Sequence, residues 1–322
     1  MVNRCREQQV FRDGSVNIEM KKNQNFAEID RIRAVTLGVT DLEKSLNFYT
    51  KVWGLELVQR KNDAIWLRAG GLDHHTLVLE KSQTPGLISM TWGVKDQATL
   101  MSFYDRLVKS GVFTEEPPRK LGSPGGGFGF AFHDPEGRVY KVVSDREDHQ
   151  VEIQDPTAPR RIAHVVVNTK DMNSISDFLE NRIGFKLSDS TKKMKFFRCN
   201  SNHHSIAIAD YDSISLNHIA FEMSTWNDLM FAVGRTKLAG HAIQWGVGRH
   251  GPGDNVFSYF LDPDGFVVEY TAEVQQITDP DYIAGKPEQW VRPPERMDQW
   301  GHSNLPTEAI KKAMSGILGQ AA

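Results

Sequence analysis

The chain has 322 residues, 39% of them hydrophobic and 25% charged, and its 38 Lys and Arg against 41 Asp and Glu give a net charge of −3. These are the proportions of a folded cytosolic protein, which excludes the disordered, collagen-like and membrane classes. The cations are scattered among acids instead of forming a basic stripe, so nucleic acid is not expected as a partner.

No apolar run reaches the ~18 residues of a membrane span, and the polar residues after Met1 leave no room for the apolar core of a signal peptide. Cys5 and Cys199 stand far apart with no CxxC, so neither a disulfide framework nor a structural zinc site is signalled. A reducing, cytoplasmic setting with no membrane partner is expected.

In chain order, residues 1–32 are polar and read as an irregular extension. Val35 to Val39 is a β-rich run, followed after Asp41 by apolar residues at helical spacing that stop at Gly54, where a left-handed cap fits. Alternating strands such as Ala64 to Arg68 come next. A second unit repeats the scheme, with a strand over Leu87 to Val94, a helix over Ala98 to Ser110 and strands framing Asp134-Pro135. Residues 146–160, with Asp155-Pro156 and Ala158-Pro159, read as a linker.

Everything then recurs. Asp41, Phe48 and Gly54 return as Asp171, Phe178 and Gly184, His74-His75 as His203-His204, and Asp134-Pro-Glu-Gly137 as Asp262-Pro-Asp-Gly265. The expected fold is α+β: two tandem domains, 33–145 and 161–275, each of two βαβββ modules. A Pro- and Trp-containing tail, 276–322, ends in a short helix from about Thr307 and needs somewhere to dock.

The repeat is its own control, because residues needed only for folding should occur in both copies. Seven positions before the shared Asp, the second copy has His164 and the first has Ala34. Seven positions after the Asp of the Asp-Pro turn, the second copy has Glu269 and the first has Lys141. His218 faces Thr91 or Trp92, depending on one gap. Two imidazoles and a carboxylate on strands of one sheet suit one face of a divalent ion, the facial triad of non-haem Fe(II) sites. Strand parity places Tyr259 on the face of Glu269. His204 has the ordinary pKa range of an acid/base group. His203 reads as structural, since the doublet also exists in the copy without ligands.

These residues together resemble the type I extradiol ring-cleaving dioxygenases of the vicinal oxygen chelate superfamily, closest to the catechol and homoprotocatechuate 2,3-dioxygenase group. The motif stands here as Gly248-Arg-His250, Tyr259-Phe-Leu-Asp262-Pro-Asp-Gly265 and Glu269, with Ser258 as a departure from the usual apolar residue. The resemblance implies Fe(II), or Mn(II), on His164, His218 and Glu269, with His204 as acid/base and Tyr259 beside the substrate oxygen. It further implies that His250 contacts the substrate and that Arg296 of the tail reaches the pocket. It implies cleavage of an aromatic diol by O2 next to the diol, in a homo-oligomer, a tetramer in many relatives. Met297, where a second Arg is expected, favours a neutral ring over a carboxylated one. A glyoxalase-like lyase or isomerase would use a further Glu that Ser205 to Ala209 does not offer, and a non-enzymatic ring-binding module would have lost the ligands.

Overall fold

The computed structural model of the chain describes residues 28–291, 293 and 295–317. In the first domain, strand β1 (Ile29–Val39) leads into α1 (Leu42–Asn47) and then β2 (Glu56–Lys61), β3 (Ala64–Arg68) and β4 (Leu77–Lys81). The second module runs β5 (Gly86–Val94), α2 (Gln97–Lys109), β6 (Arg119–Lys120), β7 (Phe128–His133) and β8 (Val139–Ser144). The second domain repeats this as β9 (Arg161–Thr169), α3 (Met172–Asp177), β10 (Lys186–Ser190), β11 (Met194–Arg198) and β12 (Ile206–Asp210). Its closing module is β13 (Ser215–Glu222), α4 (Trp226–Leu238), β14 (Trp245–Arg249), β15 (Val256–Leu261) and β16 (Val267–Ala272). Each domain is thus α+β and built of two βαβββ modules.

Both sheets have eight strands in matching order, β2-β3-β4-β1-β5-β8-β7-β6 and β10-β11-β12-β9-β13-β16-β15-β14. The antiparallel pairs β1/β5 and β9/β13 join the two modules at the centre of each sheet. The shared Asp is a helix cap. Asp41 accepts from the N–H groups of Glu43 and Lys44, and Asp171 from those of Asn173 and Ser174, which satisfies amides that have no partner inside the helix. Each helix continues into a π-helical turn, Phe48–Trp53 and Phe178–Ile183, which Gly54 and Gly184 end at φ 91° and 90°, a conformation that costs glycine little.

One boundary needs correction. Strand β1 starts at Ile29, so the irregular extension does not run to residue 32; residues 1–27 lie outside the described residues. Ile29 and Ile32 are both buried and pair with Val94 and Trp92, with register shifts between them. Such bulges break the period of two by which a strand is read from sequence.

The two domains complete each other's cores. Trp53, just beyond α1, stacks on Tyr270 of β16 at 3.7 Å between ring centroids and meets Phe221 and Phe260 edge-on. Reciprocally, Phe185 of the second domain meets Trp92, and Phe178 meets Tyr140 and Phe132. The Asp-Pro turns clasp across the same boundary. Tyr49 donates to Asp262 at 2.9 Å, and Glu136 accepts from Thr169 and from the Lys170 and Asp171 amides. Beyond the second domain the tail returns to it: α5 (Glu308–Lys312), capped by Thr307, leads into the turn Ala313–Ile317, whose Met314 carbonyl accepts from Asn168 and Asn217. Among the described residues no helix is long and apolar enough to cross a membrane.

Candidate metal centre and substrate cavity

His164 comes from β9, His218 from β13 and Glu269 from β16, three strands that lie side by side. Glu269 Oε2 is 3.3 Å from His164 Nε2 and 3.2 Å from His218 Nε2. One ligand atom from each residue lies within 4.8 Å of the others, and all three side chains are buried. Of the atoms that meet here, His218 Nε2 and Glu269 Oε2 make no hydrogen bond. Burying polar atoms without partners costs on the order of 1–3 kcal/mol each, and a divalent cation is what this set of two imidazoles and one carboxylate accommodates. Burial pushes the Glu269 carboxyl up, but His164 and His218 more than offset it and hold it well below the usual carboxylate range. The donors therefore fit the ion on an observation of the site itself.

The structure aligns the copies strand by strand and corrects one correspondence. Ala220 pairs with His164 and Glu269, as Thr91 pairs with Ala34 and Lys141. Val166 pairs with His218, and its counterpart Thr36 pairs with Ser89. The counterpart of His218 is therefore Ser89, not Thr91 or Trp92, at the same offset of 129 residues that relates the two His doublets. The first copy thus carries Ala34, Ser89 and Lys141 in place of the three ligands. A larger cavity of about 400 Å³ lies in that domain, lined by His75, Thr91 and Lys141 among others. Among the described residues it holds no comparable set of donors.

A cavity of about 290 Å³ opens beside the triad. His204, Tyr259 and His250 line it with His164 and His218, and Val166, Phe196, Trp245 and Met314 provide its apolar wall. Tyr259 is opposite Glu269 in the β15/β16 register, and its hydroxyl lies 2.9 Å from His250 Nε2. His250 stacks on Phe257 at 3.9 Å and Tyr259 on Trp245 at 5.1 Å, so both polar tips are held by aromatic packing. Burial and the Glu269 charge keep the Tyr259 phenol well above its ordinary value, so it is a hydroxyl near neutrality. His204 packs on His164 with ring centroids 4.1 Å apart. Burial, and then the neighbouring His164, His203, His250 and His218 rings, push its pKa well down, so it stands as the neutral imidazole.

Arg296 is not brought to this cavity. Its guanidinium bonds to the carbonyls of Asp298 and Gln299 and it is not among the cavity-lining residues. The tail acts at this point through other groups. Gln299 donates from its amide to the Arg249 carbonyl at 2.7 Å and from its side chain to the His250 carbonyl, and Asp298 accepts from Arg249 N–H.

Sequence reasoning missed Asn217. Its Oδ1 lies 2.8 Å from His218 Nδ1, which fits an imidazole that donates there and keeps its Nε2 lone pair for the metal. Asn217 is itself held by the Asn168 side chain and the Met314 carbonyl. Consecutive strand residues should point to opposite faces, yet both line the cavity because the register shifts between Leu216 and His218. Asn255, which donates to Thr271 and lies 3.4 Å from Glu269, was missed too.

Residues 31–140 and 161–270 each match the model of the Glyoxalase/Bleomycin resistance protein/Dioxygenase superfamily. The chain belongs to that superfamily. Among curated relatives in it, the manganese-dependent 2,3-dihydroxybiphenyl 1,2-dioxygenase of Geobacillus genomosp. 3 is 27% identical, over 82% of this chain and 90% of the relative. The iron-dependent extradiol dioxygenase of Rhodococcus jostii (strain RHA1) is 25% identical, over 83% and 94%. Among solved structures of the superfamily fold, the Mn(II)-bound glyoxalase from Novosphingobium aromaticivorans superposes with a TM-score of 0.82 at 32% identity, covering 88% of this chain and 94% of that one.

Proposed function

We propose that this chain is an extradiol dioxygenase that takes a neutral catechol-type diol and O2 and opens the ring beside the diol. In this reading His164, His218 and Glu269 hold one Fe(II) or Mn(II) per chain. The observation that carries it is the convergence of donor atoms from three buried side chains, two of those atoms without a hydrogen bond, next to a cavity that also presents His204, Tyr259 and His250. When bound, the ion supplies neighbouring coordination positions for diol and dioxygen and a route for electron density from one to the other.

The chain's own residues do the rest. The single charge of Glu269 leaves the centre able to take an anionic diol oxygen without building up net charge. His204, neutral at rest, accepts a proton from the diol hydroxyl and can return it later. Tyr259 and His250, hydrogen-bonded to each other, offer an N–H or O–H to an oxygen on the ring. Val166, Phe196 and Trp245 exclude water and grip the ring faces. The one Lys or Arg among the described lining residues, Lys193, is paired with Asp210 and mostly exposed. A carboxylated ring therefore meets no buried cation among the described lining residues, which favours a neutral substituent. The volume is at the small end of ligand cavities and suits a single ring. Through Asp298 and Gln299 the tail supports the site as a strap rather than as a binding arm, and a homo-oligomer working in the cytoplasm on aromatic compounds is the setting proposed for it.

The experiment is reconstitution with Fe(II) or Mn(II) without air, followed by O2 and a panel of catechol, methylcatechols, a carboxylated catechol and 2,3-dihydroxybiphenyl. One O2 consumed per diol, with a yellow ring-fission product, is expected, and His204→Phe should keep its metal while losing about 10²–10⁴-fold in turnover. The likeness to the Mn(II)-bound glyoxalase favours a second reading, isomerisation of a thiol adduct of a ketoaldehyde. Turnover of a methylglyoxal–glutathione adduct with no oxygen uptake by any diol would replace the first reading by that one.

A further inference from the structure

Asp189 on β10 is buried and lies outside the cavity lining, yet it is wired to it. Its Oδ2 is 2.9 Å from His203 Nε2, and His203 Nδ1 is 3.0 Å from His204 Nδ1. We propose that Asp189 is a positioning residue that, through His203, fixes which ring nitrogen of His204 carries the hydrogen and so turns the bare Nε2 of His204 toward the cavity. The proposal rests on the reading of His204 as the group that receives the diol proton.

The direction follows from counting hydrogens. An ionised carboxylate only accepts, and Oδ1 already accepts from the Gly285 amide at 2.7 Å and lies 3.4 Å from the Tyr282 hydroxyl. His203 must therefore donate from Nε2. An imidazole with its one hydrogen at Nε2 has none at Nδ1, so His203 Nδ1 accepts. The hydrogen of the Nδ1···Nδ1 contact then belongs to His204, and a neutral ring protonated at Nδ1 has its lone pair at Nε2.

The duplicated domain provides the control. His74 and His75 keep the same contact, Nδ1 to Nδ1 at 2.9 Å, so the doublet is common to both copies. At the place of Asp189, which faces Phe196, the first copy has Gln59 facing Trp66. The carboxylate accompanies the metal ligands and is missing where they are missing, which a purely structural role would not require. The tail is shaped to meet it, because a Cβ on Gly285 would stand 2.2 Å from Asp189 Oδ1.

Asp189→Asn makes the test sharp. The Gly285 N–H demands an oxygen at the Oδ1 position, so the new amide must place its NH2 against His203 Nε2, reversing both hydrogen bonds and leaving His204 with N–H at Nε2. In the full-length chain without metal, ¹⁵N shifts of the His203 and His204 rings should show the protonated nitrogen of His204 move from Nδ1 to Nε2. In the metal-loaded enzyme, kcat should fall by about 10²–10⁴-fold with metal content and KM nearly unchanged, and the loss should vanish in a His204→Phe background. Wild-type shifts in Asp189→Asn, unchanged kcat, or a full further loss on top of His204→Phe would each overturn the proposal. If His204→Phe alone retains turnover, the reading of His204 fails instead, while the ring shifts still report whether Asp189 sets its tautomer. Should Asp189→Asn not fold, Gly285→Ala crowds the carboxylate off His203, and unaltered ring shifts there count against the proposal.

Discussion

Asn217 and Glu269 show how single side chains decide whether the donor set can hold an ion. Replacing Glu269 by Gln removes the only charge of the triad and leaves two neutral imidazoles around a dication, so most of the metal should be lost on purification; measured stoichiometry equal to wild type would exclude Glu269 as a ligand. Asn217 works one step back, through the 2.8 Å contact to His218 Nδ1. Asn217→Leu should weaken metal binding by about 10–100-fold without abolishing it, the usual cost of losing a partner that orients a ligand. Competition against a chelator of known affinity reads this directly. The triad itself was legible in sequence because the duplicate lacks it; Asn217 was not, since alternation assigns a neighbour of a ligand to the other face and only the bulge at that point reverses this.

At the scale of elements, the two Asp-Pro turns solve one problem in two ways. Each Asp accepts amide hydrogen bonds that close its turn, Asp134 from Glu136 and Arg138 and Asp262 from Asp264 and Phe266. Asp134 also has a buried guanidinium, Arg138, at 2.7 Å. Asp262 has Phe266 at the corresponding position and only the Tyr49 hydroxyl across the domain boundary. Burial accordingly pushes the Asp262 carboxyl up to about 7 despite its hydrogen bonds. With a folded value above the unfolded one, near 4, the folded state binds the extra proton, so this group's contribution is full below about pH 4 and is lost as pH rises through 7. Asp262→Asn removes that dependence while still accepting the turn's amides. Urea unfolding of both proteins at pH 5 and pH 8 should show the variant gaining on wild type at the higher pH, and a constant difference would refute the assignment. The turn, its Asp and the glycine after it were readable from the repeat. The Tyr49 contact was not, because it joins positions 213 residues apart.

Across the whole molecule, the domain without metal donors forms the back wall of the one that has them. On β16 successive side chains alternate: Glu269 points to His164 and His218, and Tyr270 to the opposite side, where Trp53 of the first domain stacks on it. Phe221 on β13, three residues beyond His218, meets the same indole. Two of the three ligand strands are thus braced from behind by one residue of the other copy, and the reciprocal packing of Phe185 on Trp92 ties the arrangement in both directions. A chain built this way should unfold as one unit, with loss of helix and strand signal and release of metal coinciding on heating. Trp53→Ala opens a void behind the ligand strands and should cost about 3–5 kcal/mol, lowering both signals together. If metal release kept its wild-type midpoint while the rest of the chain melted earlier, the domains would be energetically separate. The first copy would then be an appendage instead of the structural half of the site.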